Sequence, residues 1–346
     1  MDILSRLAGI VRAPRALPRW AITTLAANVV IVVTGGLVRL TGSGLGCPTW
    51  PRCTPESYVS HPALGIHGAI EFGNRLLTLV LVAVAVLTWV SALSHRGTEG
   101  ARPRPLAVRG SPAPDERPMG RPRPTLLLAT GLALGIPAQA VVGGISVLTR
   151  LNPYVVALHF GVSMILVALA VWLVRLTWQL PRTRVRASAR ALTWITFGLM
   201  GLTIWLGTLV AGSGPHAGDE HAVRTGLNGM LLTQLHAGLV GATALATLGC
   251  LAVLRTRAAA MLLGVEVLQA AIGISQYYLG VPIWLVALHL LGAALAVATA
   301  TNLALSVRTV RSAGDHPDRQ PLDPVDEVAP DPGDLAGQLD RAQPRQ

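Results

Sequence analysis

The chain reads as an all-α integral membrane protein, with eight transmembrane helices arranged as two parallel four-helix repeats. Three observations predict this. Of 346 residues, 51% are hydrophobic and only 13% charged, and the mean hydropathy is +0.53, a balance foreign to soluble domains of this length. Apolar stretches of about 20 residues recur, each enough to cross a bilayer core of about 30 Å. One segment also occurs twice. Gln139-Ala140, Gly143 and Val156-Ala157-Leu158-His159 reappear as Gln269-Ala270, Gly273 and Val286-Ala287-Leu288-His289, with identical spacing from Gln to His.

The first span, near 19–40, follows Arg6, Arg12, Arg15 and Arg19. These residues act as an inside anchor, because no separate apolar core marks a cleavable targeting peptide. An external loop with Cys47 and Cys53 leads to the second span, near 66–94. The 95–123 loop is rich in Pro, Gly and Arg and reads as a solvated segment. Spans near 124–147 and 153–178 complete an N-terminal half over 19–178. Spans near 190–212, 229–254, 258–279 and 282–306 make a C-terminal half over 190–306. Residues 1–18 and 307–346 read as cytoplasmic segments, the second a disordered tail. His95 and His316 fall in such segments and receive no role.

Arginine sets the orientation, since the chain has no lysine. Arg96 to Arg123, Arg182 to Arg190, Arg255, Arg257, Arg308 and Arg311 follow the even-numbered spans, whereas the opposite loops carry only Arg52, Arg150 and Arg224. The positive-inside rule places both termini in the cytoplasm. The net charge of +11 is this bias. It requires no nucleic-acid partner; the partner it implies is the lipid bilayer.

The duplication reaches further. Leu37-Val38 before Gly42-Ser43-Gly44 resembles Leu209-Val210 before Gly212-Ser213-Gly214. Four spans repeated as four spans keep their topology, so the halves relate by an axis along the membrane normal. Asn74, His159, His236 and His289 each lie about seven residues inside the outer end of a span, roughly 10 Å deep. A lone intramembrane His is commonly a helix–helix hydrogen bond. Repetition at matched depth points instead to a ligand site, and two imidazoles can fill both axial positions of a haem inside a bundle. Zinc fits less well, because no carboxylate or thiol cluster accompanies His236 and His289.

These residues carry a family resemblance over about 20–306. The run Gly36-Leu37-Val38-Arg39-Leu40-Thr41-Gly42-Ser43-Gly44-Leu45-Gly46-Cys47-Pro48-Thr49-Trp50-Pro51, the motif Ile70-Glu71-Phe72-Gly73-Asn74-Arg75, and Gly212-Ser213-Gly214-Pro215-His216-Ala217-Gly218-Asp219 stand beside three His-bearing helices. Together they resemble the bacterial haem A synthases, membrane oxidoreductases that convert a methyl group of haem O to a formyl group. The resemblance implies a resident haem b on His236 and His289, and haem O as substrate with His159 as one axial ligand. It implies a reacting site that includes Glu71, Asn74 and Arg75, with Glu71 moving protons; the alternative for Glu71 is an ion pair with Arg75. It also implies haem O synthase as substrate donor and an electron acceptor that the sequence does not identify.

The motif departs from the family at Asn74, where His is usual. Asn is a poor iron ligand, so the substrate iron is expected to be five-coordinate or water-ligated on that side. His67, seven residues earlier, sits about 10 Å higher along the helix. Cys47 and Cys53 are placed for an external disulfide; the resemblance gives them a redox or haem-transfer role, and a loop staple is the alternative. Cys250 reads as packing. His216, Asp219, Glu220 and His221 either bind a metal or shape a loop over the site. Two other functions stay open, a di-haem b-type electron-transfer cytochrome and a transporter of parallel four-helix repeats. Against the transporter, almost no charge is expected deep in the spans.

Overall fold

The computed structural model describes residues 13, 15–94, 124–216, 218–219 and 222–310. The 95–123 loop, the tail after Arg311, His95, His316, Glu220 and His221 lie outside them. Eight helices are long and apolar enough to cross a membrane: α1 (Ala16–Leu40), α2 (Gly65–Ser94), α3 (Pro124–Leu148), α4 (Pro153–Thr177), α5 (Ala187–Ser213), α6 (Gly229–Leu254), α7 (Arg257–Tyr278) and α8 (Ile283–Leu305). Each agrees with its expected span to within three residues. Between 17% and 39% of the most apolar window of each helix is buried inside the protein. The remaining faces carry exposed Leu79, Leu134, Ile165 and Leu245, which only hydrocarbon covers without penalty. The chain is a multi-pass membrane protein.

The helices start and stop where local chemistry requires. Asn152 caps α4, its side-chain oxygen accepting from Tyr154 N at 3.0 Å and Val155 N at 3.4 Å, with Pro153 at the first position. Asn228 caps α6 through Leu231 N at 3.1 Å, and Thr256 caps α7 through Ala259 N at 3.4 Å. The turns after α3 and α7 share one conformation. Arg150-Leu151 and Gly280-Val281 all have positive φ, and Leu151 N→Ser146 O (2.7 Å) has its counterpart in Val281 N→Gln276 O (2.8 Å). Arg150, Leu151 and Val281 hold a backbone shape that favours glycine.

Packing repeats as the sequence does. In the first half α1 packs on α2, α2 on α3, α3 on α4 and α4 on α1; in the second, α5 to α8 pair in the same order. Thr24 Oγ1 meets Thr88 Oγ1 at 2.7 Å, and their counterparts Thr196 and Cys250 meet at 3.4 Å. The halves join through α4 against α8, flanked by α1 against α8 and α4 against α5. Met164 and Val167 of α4 pack there with Ala294 and Val297 of α8. Met164 and Ala294 are repeat equivalents, as are Val167 and Val297, at the same offset along the chain as Gln139 and Gln269. The repeat axis therefore runs between α4 and α8. At one end of the bundle β1 (Thr183–Val185), after α4, pairs in parallel with β2 (Val307–Thr309), after α8.

Candidate cofactor site

Four helix pairs present one local arrangement near the end of the bundle opposite the strands. In each, a glycine on one helix faces a polar ring or amide on the next and leaves room for it. A Cβ on Gly143 of α3 would lie 3.1 Å from His159 Cε1 of α4, and one on Gly207 of α5 would lie 3.0 Å from His236 Cε1 of α6. Gly273 of α7 faces His289 of α8 at 3.6 Å, and Gly35 of α1 faces Asn74 Nδ2 of α2 at 3.9 Å. Gly35 stands to Gly207 at the same offset as Thr24 to Thr196. Asn74 therefore occupies the position of His236 in the other half.

The backbone beneath two of these rings is fixed by a repeated glutamine. Gln139 Nε2 donates to His159 O at 2.8 Å, and Gln269 Nε2 donates to His289 O at 3.0 Å. Gln139 also donates to Ser163 Oγ, which itself donates to His159 O at 3.0 Å. His159 Nδ1, His289 Nδ1 and Asn74 Oδ1 are buried and make no hydrogen bond, while the His236 ring lies against the backbone of Thr203 on α5. His236 and His289 thus stand in the same layer of one half, each against a glycine of its neighbouring helix. Buried polar atoms left unpaired are uncommon and call for an occupant. Neutral imidazole on a metal is one, and it brings no net charge into hydrocarbon.

Glu71 and Arg75 form the ion pair raised as an alternative. Arg75 Nη2 is 2.5 Å from Glu71 Oε1. Glu71 Oε2 accepts from Cys47 N at 2.6 Å, while Arg75 donates to the carbonyls of Cys47 (3.0 Å), Thr49 (3.0 Å) and Arg52 (3.1 Å). Cys47 and Cys53 are joined as a disulfide. Trp50, from the same loop, lies over Gly144 of α3. The loop thus covers the N-terminal half, clamped to α2 by a buried carboxylate.

The match to known sequences follows these same segments. The pattern of the cytochrome oxidase assembly proteins, COX15-CtaA, fits residues 18–63 and 66–301. The chain belongs to that family. Proteins named "Heme A synthase" are among its relatives: that of Listeria monocytogenes serovar 1/2a is 28% identical over 206 residues, covering 55% of this chain and 57% of the relative. The Bacillus licheniformis protein is 26% identical over 196 residues, 55% of each chain, and the Staphylococcus haemolyticus protein 28% over 183 residues, 51% and 52%. The chain spans just over half the length of the curated relatives it matches.

Within this family frame the remaining candidates take structural places. His67 Nδ1 bonds Ser43 Oγ at 2.8 Å. His216 Nε2 is 2.8 Å from Val281 O, and Arg39 donates to His216 O at 2.8 Å and Ala211 O at 3.0 Å, so His216 shapes a loop that ties the halves together. Among the described residues no three His, Cys, Asp or Glu side chains group as a metal site. One charge does occur deep in a span: Glu266 in the middle of α7 is 7% exposed, whereas Arg175, 6% exposed, lies in the last turn of α4 at the strand end. Arg175 bonds Asn302 and donates to Pro181 O at 2.8 Å. Glu266 escaped notice because a single acid carries no motif; its three-residue offset from the repeated Gln269 was the available signal.

Proposed function

We propose that this chain is a haem A synthase, an oxidoreductase that converts a methyl group of haem O to the formyl group of haem A. The observation that carries the reading is the layer of three buried imidazoles on α4, α6 and α8, each seated against a glycine of the neighbouring helix, in a chain of the COX15-CtaA family. His236 and His289 hold a resident haem b, which supplies one-electron transfer when bound. His159 holds the haem O substrate. Asn74, equivalent to His236 yet unsuited to bind iron, leaves the opposite face free for the reaction.

This chain's residues then divide the work. Gln139 and Gln269 orient the imidazole-bearing backbones, and the glycines let the rings sit flush between helices. Glu71 accepts and returns protons at Oε1 or Oε2, and Arg75 keeps it aimed at the loop. The Cys47–Cys53 loop covers that half and limits water. Haem O arrives from haem O synthase, and electrons leave to an acceptor outside the chain. The arginine bias puts the strand end and both termini in the bacterial cytoplasm.

Extraction and chromatography of the pigments from purified protein test the reading. Haem b together with haem O or haem A is expected. Two haem b per chain would mark an electron-transfer cytochrome, and no haem at all would return the transporter. Replacing His236 or His289 with Ala should abolish a low-spin bis-imidazole spectrum, and two variants that keep it would reject the ligand assignment.

A further inference from the structure

The two halves correspond in sequence and packing, and where they differ a buried polar cluster stands in one half alone. In the C-terminal half Thr203 Oγ1 of α5 meets Thr243 Oγ1 of α6 at 3.0 Å. One turn further along α6, Thr247 Oγ1 donates to Glu266 Oε1 of α7 at 2.9 Å. All four residues are buried, and Glu266 Oε2 has no hydrogen-bond partner. Gly35 with Gly207, Asn74 with His236 and Gln139 with Gln269 set the registers that relate α1, α2 and α3 to α5, α6 and α7. By those registers the equivalents in the N-terminal half are Ile31, Leu81, Ala85 and Ile136. They pack together as an apolar cluster. The fold plainly does not need polar groups here, since the same packing closes without them.

We propose that Glu266 is a proton-binding group of the C-terminal half, taking up one proton when an electron reaches the cofactor held by His236 and His289. The inference rests on the haem b reading above. An isolated carboxylate is costly in hydrocarbon, and intramembrane acids without a cation mark proton or ion pathways by default. Among the described residues no ion pair reaches Glu266. The titratable groups on the helices packed against α7 are Cys250 and His236 of α6 and His289 of α8. Cys250 is bonded to Thr196 Oγ1 at 3.4 Å. Glu266 lies seven residues from Gly273, which faces the His289 ring, so it stands about 10 Å below the ligand layer on the side of the strands. At that range in a low dielectric, one unit of charge at the metal is felt at the carboxyl.

The step balances. One electron taken from the substrate on oxidation would pass to the cofactor held by His236 and His289, one proton from the strand side would form an O–H bond at Glu266 Oε2, and both would leave on reoxidation, the electron to the external acceptor and the proton to the strand side. Thr247 holds Oε1 so that Oε2 remains the site of exchange. The N-terminal half, with Ile136 in this place, has no such group and carries its buried acid, Glu71, on the other side of the ligand layer.

The test uses the full chain with its resident pigment. The midpoint potential of the low-spin haem is titrated against pH in wild type, Glu266→Gln, Glu266→Asp and Thr247→Val, with reduced-minus-oxidised infrared spectra. Wild type should fall in potential as pH rises, approaching about 59 mV for each tenfold drop in proton activity. Glu266→Gln should flatten that slope and lose the carboxyl C=O difference band, with its visible spectrum unchanged. Glu266→Asp should keep a shifted band and Thr247→Val should move the pH of the slope. Haem propionates are common to all variants, so the difference isolates Glu266. A flat wild-type slope, or the same slope and band in Glu266→Gln, overturns the proposal while leaving the haem b assignment standing. Absence of a low-spin haem in wild type overturns both.

Discussion

Under the proposed reading, the side chain at Asn74 sets how an iron on that side would be held. It faces Gly35 as His236 faces Gly207, and its Oδ1 is buried without a partner. Restoring an imidazole there is therefore sterically reasonable. Asn74→His should turn the substrate haem from an open site into a six-coordinate low-spin one, and His159→Ala should remove that haem while sparing the other. Visible and electron-spin spectra under equal haem O loading check both; a wild-type substrate haem already bis-His would sink the open-site reading and turn attention to His67. At Glu71 the observed clamp and the proposed proton transfer can be separated. Glu71→Gln keeps an acceptor for Cys47 N but loses the ionised partner of Arg75. A proton-transfer role predicts haem A formation lowered by about 10²-fold or more, with the Cys47–Cys53 disulfide still formed. Loss of the folded loop, read by protease sensitivity, would assign Glu71 to the clamp alone.

The element scale belongs to the glycines that face the rings. A helix interior normally disfavours Gly relative to Ala by about 1 kcal/mol, so these positions exist for the approach they permit. Gly207→Val would drive branched methyls toward His236 Cε1, already 3.0 Å from a single Cβ. It should displace the ring and lower pigment content several-fold. Gly241→Ala, on α6 with nothing within 4 Å of the added carbon, is the control and should bind pigment normally. Equal pigment in both variants would mean that the ring is not confined by α5. The positive-φ turns behave similarly at the level of the hairpin. Arg150 and Leu151 hold a shape that Gly280 adopts freely, because Leu151 is anchored by its bond to Ser146 and by burial beside Ala222.

On the scale of the molecule, the halves are joined along α4 and α8 and tied at both ends. At the loop end Arg39 of α1 reaches His216 and Ala211 of the other half, with Gly44 N bonded to Gly218 O at 2.9 Å. At the strand end Arg175 of α4 bonds Asn302 of α8. Arg39→Leu removes two charge-assisted bonds and strands the carbonyls they satisfied, which should cost about 1–3 kcal/mol. A lowered thermal midpoint in detergent with retained haem b is expected. An unchanged midpoint would show that the apolar α4–α8 seam alone holds the halves.

Hydrophobic length, arginine bias and internal repetition sufficed to establish eight spans, their pairing into two halves and the layer of Asn74 and three histidines, since bilayer thickness and helix rise are fixed quantities that sequence spacing can be measured against. What lay beyond the sequence were relations between helices. No spacing along one chain reveals that Gly35, Gly143, Gly207 and Gly273 are the surfaces on which the four side chains rest, that Glu71 grips Cys47 N, or that Glu266 meets Thr247 beside an unpaired oxygen. Each depends on which face of one helix turns toward another, and in a membrane that choice is made by close packing and by finding partners for polar atoms rather than by hydrophobicity. Tertiary structure decided it for this chain, because nearly every face of every span is apolar and hydrophobicity alone could not choose among them.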